Sequence, residues 1–587
     1  MNAESAYLFR HALLRDAAYQ LQLPGDRARL HGLAFAAIEN VFGGRPPEPG
    51  LSTDGSLKEF RPYAGDAFAR ELAGHAGAAA RDDLGSAQRL YLRRAAEHAE
   101  RQNRHEEAVE LWKDGATFER GKRRADSLYR AGCAAATRGD LQGAEALLHS
   151  ARSIFCRAQD RLGDAWVSVK RSDVSRDAGR LRQAELRIRR AVALLHRLGS
   201  RLREGGALNQ WGTLLMRMGR IESAERTYAK SLALFRRLRH PHEGITLGNL
   251  SILYRQTGRV QQAERSMEQA LSLHRKAGDR RFEGITLGNR GILFAETGRA
   301  AEAERSYGEA LIALREIGNR KAEGDVLSNL ARLFADTARP AEAERTYEQA
   351  LAMLRELNDR RAEGLTLGNL GSLFFETGRG EAAERAFEQA LALLREVGDR
   401  RGEGVALGNL AELYQGTGRL ELAERTYEQA LALQRDVRNR RGEAIALANL
   451  ASLYQETRRL EPAERLYHEA LAAGRSVGDR RFESFVLGKT AGLLRETQRP
   501  QEAERLYAEA LLLDRQLGDR SLEGGHLCGR ALCLVSLGGL SEAAEGWSAG
   551  AALLRSLGEN KEMDRQVAAM RAACAGAGVA ELEAGGP

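Results

Sequence analysis

Apolar residues recur along this chain at helical spacing, in short runs that come in pairs. In the stretch from Phe282, Leu287, Leu293 and Phe294 fall on one side of a helix, and Thr297-Gly298-Arg299 interrupts the pattern. Ala303, Tyr307, Ala310, Leu311 and Leu314 then form a second stripe. Gly298 supplies a left-handed cap that stops the first helix. Gly278-Asp279-Arg280 repeats the device between units, with Asp279 placed to cap the helix that follows. The phrase Glu243-Gly244 returns at Glu283-Gly284, Glu323-Gly324, Glu363-Gly364 and Glu403-Gly404, a period of 40 residues. It drifts through Glu443, Glu483 and Glu523, and runs backward through Glu204 and Asp164 to a weaker unit near Arg124. A fixed period of this length marks an array of like units, none of which buries both its stripes alone.

Small residues decide how the helices meet. Ala263, Ala303, Ala343, Ala383, Ala423, Ala463 and Ala503 hold one column, and Ala270, Ala310, Ala350, Ala390, Ala430, Ala470 and Ala510 another. A large residue stands between them in each unit (Met267, Tyr307, Tyr347, Phe387, Tyr427, Tyr467, Tyr507). Small positions let paired helices approach while the large one fills the gap. The expected fold is all-α: a right-handed superhelical solenoid of antiparallel helix pairs, about eleven repeats, preceded by irregular N-terminal helices. The expected divisions are 1–42, a helical or winged-helix-like remnant; 43–80, linker and helix; 81–120, an irregular helix pair; 121–560, the array; 561–574, a capping helix; and 575–587, a flexible tail.

Leu287 through Gly291, Leu293-Phe294, Gly298, Ala303, Tyr307 and Ala310 match the small-and-large signature of tetratricopeptide repeats. With the longer Gly-Asp-Arg loop, then Glu-Gly and Gly-Asn-Leu, the unit resembles the 40-residue variety of the Pins/LGN group and, more loosely, of kinesin light chains. The resemblance covers roughly Arg124 to Leu557 and implies a protein-binding scaffold. The first segment departs from the repeat. Tyr7-Leu8-Phe9-Arg10-His11-Ala12-Leu13-Leu14-Arg15-Asp16-Ala17-Ala18-Tyr19, with Leu23-Pro24, Arg27 and Leu30-His31, resembles the end of the ATPase core of bacterial STAND-type signalling proteins. That likeness implies a sensor arm without its motor. The nearest approach to a phosphate-binding loop, Gly488-Lys489-Thr490, has Glu483 where the first glycine belongs and falls inside a helix.

Composition adds exclusions. Hydrophobic residues are 43% and charged residues 29%, enough to build a core, and no run approaches a membrane span. The net charge of +8 invites a nucleic-acid reading, but Arg interleaves with Glu, as in Glu264-Arg265 and Glu304-Arg305, which reads as a solvated face. The carboxylates read likewise as solvated repeat positions, and no catalytic set stands out. Cys133, Cys156, Cys528, Cys533 and Cys574 lack metal-ligand spacing, and His240 and His242 lack a third ligand. The expectation is a cytoplasmic, non-enzymatic scaffold with a protein or peptide partner, no metal and no cofactor; the pattern sets no oligomeric state.

One pattern points to a ligand. Asn249, Asn289, Asn329, Asn369, Asn409 and Asn449 hold the same place in six consecutive first helices, with Gln210 before and Lys489 after. An amide both donates and accepts, which suits reading an extended peptide backbone, and in the resembled families Asn at this place touches the bound peptide. Three and seven residues on lie Ile252/Gln256, Ile292/Glu296, Arg332/Asp336, Ser372/Glu376, Glu412/Gly416 and Ser452/Glu456, on the same face. The candidate groove is therefore acidic, and the expected ligand is an extended segment carrying Lys or Arg.

Overall fold

The computed structural model describes residues 23–48, 62–102, 104–558 and 560–582, and every regular element among them is a helix. The Tyr7–Tyr19 segment lies outside the described residues. The chain forms two compact units, Met1–Gln210 and Trp211–Pro587, with the boundary inside the helix Arg201–Arg217.

The first unit begins with helices Pro24–Val41, Ala69–Ala78, Gly85–Arg101 and His105–Phe118, followed by the pairs Gly121–Arg138/Leu141–Arg157 and Arg161–Asp177/Leu181–Arg197. Phe35, Tyr91, Trp112 and Phe155 fill its core. That core also takes in ions: Arg94 Nε meets Asp66 at 2.7 Å, and Arg93 Nη2 meets Asp126 at 2.9 Å. Burial pushes the Glu97 carboxyl up to about 7, with Arg130 and Arg93 opposing.

The second unit is regular. Its pairs run from His242–Gln256/Val260–Ala277 to Arg520–Ser536/Leu540–Ser556, and Asn560–Ala577 follows. Gly298 adopts φ 73°, and Asp279 Oδ1 accepts from the Phe282 amide at 3.1 Å, so the turn residues act as the sequence predicts. Both alanine columns are fully buried. The place opposite the large residue is small throughout: it is Ala331, Ala411, Ala451 and Ala491 in four repeats, and at Gly291 it is bare backbone, where a Cβ would stand 2.5 Å from the Tyr307 ring.

Two charge ladders tie each repeat to its neighbour. The Arg that opens each second helix reaches back to a Glu of the preceding repeat, as Arg259 to Glu225 (2.9 Å), Arg339 to Glu304 (2.8 Å) and Arg459 to Glu424 (2.8 Å). The same guanidinium covers an aromatic ring of its own repeat: Arg339 lies 4.2 Å from the Phe334 centroid, Arg419 4.4 Å from Tyr414 and Arg459 3.9 Å from Tyr454. Each such stacked cation is worth about 0.5–1 kcal/mol. In the second ladder the Glu of the Glu-Gly phrase is buried and held by arginine. Glu283 accepts from Arg275 at 2.8 Å and Arg280 at 2.7 Å, and Glu323, Glu363 and Glu483 repeat the first contact. These carboxylates are therefore not the solvated positions the sequence suggests. Removing the arginine would leave a buried charge uncompensated, which is why the pair recurs together.

Candidate functional site: the inner face of the first helices

In the second unit the first helices turn one face toward the same interior space. Arg481 and Asp336 are 145 positions apart, yet the Arg481 charge acts on Asp336. Burial works against the Arg481 charge, and Asp519 together with Glu296 holds it up. Burial raises the Glu412 carboxyl, and Lys489, two repeats on, opposes it. Charges on distant repeats influence one another this way when their helices face a common interior. The side chains of Asp336 and Glu412 are reached by solvent, yet the surrounding protein raises both carboxyls above the ordinary range.

The face carries parallel rows. Asn249, Asn289, Asn329, Asn409 and Asn449 are half-buried and Asn369 is exposed. The amides of Asn289, Asn329, Asn369, Asn409 and Asn449 make no hydrogen bond to another described residue. The row beyond them is mixed. Glu296 accepts from Arg255 Nη1 at 2.5 Å, and Glu456 accepts from Gln415 Nε2 at 2.6 Å. Both bonds join adjacent repeats, and Arg255 neutralises Glu296 while the Gln415 amide leaves the Glu456 charge in place. Gln415 also accepts from the Tyr427 hydroxyl at 3.2 Å, whereas Tyr307, with Ala295 in the place of Gln415, has a buried hydroxyl without a partner. Arg332, Asp336, Glu376 and Glu412 are exposed along the same row.

One row was missed by sequence reasoning. Four residues before each Asn, on the same face, stand Leu365, Val405 and Ile445, with Phe485 before Lys489; they are 37%, 48%, 43% and 36% exposed. Ile285 is half-buried in that row, and Asp325 interrupts it with a carboxyl that burial raises. The signal was visible as an aliphatic residue recurring every 40 positions beside Glu-Gly, but periodicity assigns such a residue to the core.

Among the described residues no group of three His, Cys, Asp or Glu could hold a metal ion. The His240 and His242 rings meet edge-to-face at 4.6 Å between centroids, and Cys528 and Cys533 are buried. No described helix is long and apolar enough to cross a membrane.

The tetratricopeptide repeat family model matches residues 204–276, 282–356, 361–436 and 404–476. No curated protein matches the sequence. Among solved structures, a Signal Transduction ATPase with Numerous Domains (STAND) protein with a tetratricopeptide repeat sensor, from Pyrococcus horikoshii, is 18% identical. That alignment covers 59% of this chain and 52% of that one, with a TM-score of 0.37. Yeast Tom70 is 14% identical over 82% of this chain and 96% of its own, with a TM-score of 0.43. BtubC from P. vanneervenii is 19% identical over 37% and 91%, with a TM-score of 0.34. The helix pairs between residues 204 and 476 are tetratricopeptide repeats, which imply a protein-interaction scaffold.

Proposed function

We propose that the inner face of the second unit binds an extended peptide segment carrying Lys or Arg. The observation that carries this reading is the row from Asn289 to Asn449, whose five amides make no hydrogen bond to another described residue and can donate to and accept from a peptide backbone. The charge preference rests on Asp336 and Glu412, raised by burial, because a cationic side chain beside them would favour their ionised forms. The setting is bacterial signal regulation; a second reading, the sensor part of a STAND-type regulator, rests on the Tyr7–Tyr19 motif alone.

The test is a peptide-array binding assay with Lys/Arg-containing and charge-reversed peptides. Wild type is compared with Asn289, Asn329, Asn369 and Asn409 changed together to Ala, after both are matched in helicity and melting. Each lost amide contact is worth about 0.5–1.5 kcal/mol, so basic peptides should bind the variant at least tenfold more weakly. Equal binding of charge-reversed peptides would rule out the acidic row as the recognition surface. Affinity for basic peptides should rise with pH above the ordinary carboxylate range, as the raised carboxyls of Asp336 and Glu412 ionise. Asp336→Asn with Glu412→Gln should flatten that rise.

A further inference from the structure

The second unit closes on itself. A Cβ placed on Gly219 would stand 2.9 Å from the Ser476 carbonyl oxygen and 3.3 Å from Val477 Cα; one on Gly478 would stand 3.3 Å from Ile221 Cγ1. Gly258 likewise lies hard against Leu517. In each case the turn between two helices of one repeat meets the turn after the second helix of a repeat 257–259 positions further on. The intervening helix pairs thus make one full superhelical turn, and its two ends touch along a seam with backbone at the contact. The inner rows, with Leu365, Val405 and Ile445 beside the Asn row and Asp336 and Glu412 facing Arg481 and Lys489, line the bore of that turn.

We infer that this bore is an interaction surface for a disordered segment of a partner protein, with aliphatic side chains next to Lys or Arg, which threads through the closed turn. The inference rests on the proposed groove reading and adds the route and the class of partner. The seam shuts the side of the turn, so a ligand reaches the bore through its ends, and an extended chain is one residue wide. The aliphatic row supplies apolar contact for such a chain, and the raised carboxyls supply the complement to its cations.

The test joins the seam covalently in the full chain. Ile221→Cys and Val477→Cys, with Cys133→Ser and Cys156→Ser, are bridged by a short bis-maleimide; stoichiometric bridging by mass spectrometry is expected. Two probes follow: a fluorescent peptide of about 20 residues repeating Leu-Lys-Ser, long enough when extended to traverse several repeats, and the same peptide with a folded domain fused at each end. The free-ended peptide should bind bridged and unbridged protein alike, while the doubly plugged one should load on bridged protein at least tenfold more slowly. Val405→Ser with Ile445→Ser should weaken the Leu-Lys-Ser peptide but leave a Gly-Lys-Ser peptide unchanged. Failure to bridge, or equal loading of plugged and free peptides on bridged protein, would overturn threading. If the Asn-to-Ala variant still loses binding in that case, the groove reading stands alone; if no peptide depends on the Asn row, the groove reading falls and threading with it.

Discussion

Three consecutive repeats and the three that follow solve the same packing problem differently. In the first group a glycine on the first helix sits over a leucine on the second: Gly284 over Leu314, Gly324 over Leu354, Gly364 over Leu394. In the second group the equivalent places hold Gly404 with Gln434, Ala444 with Gly474, and Ser484 with Asp514. Where the second helix gives up its leucine for glycine, the first helix gains a methyl, and Phe482 leans in against Gly474. Where it carries a buried carboxylate, Ser484 donates to Asp514, and His526 Nδ1 lies 2.7 Å from the other oxygen. Gln434 donates to the Arg401 carbonyl at 3.3 Å and accepts from Asn439 at 2.7 Å, which takes Asn439 away from capping its helix. The pair of positions, rather than either residue, is what must fit.

The contrast predicts where the array is brittle. Asp514→Ala leaves His526 and Ser484 without their shared partner in the core, and each buried polar group left unsatisfied costs about 1–3 kcal/mol. Hydrogen exchange should therefore show Arg480–Glu496 losing protection while Arg320–Asp336 keeps it; uniform loss would mean that the two groups unfold as one. Leu354→Ala opens a cavity worth about 2–5 kcal/mol, and adding Gly324→Ala should return part of it. A double-mutant cycle in denaturant reads that coupling, and strict additivity would refute the idea of a matched pair. Gln434→Leu converts one polar repeat to the leucine type and frees Asn439 to cap. It should raise the melting midpoint by an amount corresponding to about 1 kcal/mol. A further change of the same size is a control that should not distinguish the groups. Ala338, Arg458 and Gln498 hold left-handed turns at φ 56–59° where other repeats have glycine, and each change to Gly should stabilise by about 1 kcal/mol. A gain confined to one group would show that turn strain, not the paired column, separates them.

The array was legible because its signals are local and repeated. The Gly298 turn, the Asp279 cap and the alanine columns are each set by neighbours within one unit, and copying makes them unmistakable. The Asn row could be placed on one face because helical spacing fixes direction. What escaped depends on contacts between units. The burial of Glu283 comes from Arg275 on the preceding helix, and its sequence neighbourhood looks solvated. Leu365 and Val405 read as core because nothing local says that the facing surface is the interior of a superhelical turn. The meeting of Gly219 with Val477 follows from the accumulated rotation of several repeats, a quantity that no single repeat encodes.

The Arg ladder has a bearing on how such a chain can change length over generations. Because Arg339 answers a Glu 35 positions earlier and every repeat brings its own copy of both, duplication or loss of a whole unit leaves no charge stranded. The local chemistry is indifferent to copy number. The seam is not: inserting one unit between Gly219 and Val477 would bring a different turn opposite Gly219 and change which loops must accommodate each other. A gene that gains or loses repeats freely at the level of pairing must therefore still refit the loops that meet along the seam, because each change of count re-pairs every turn across it.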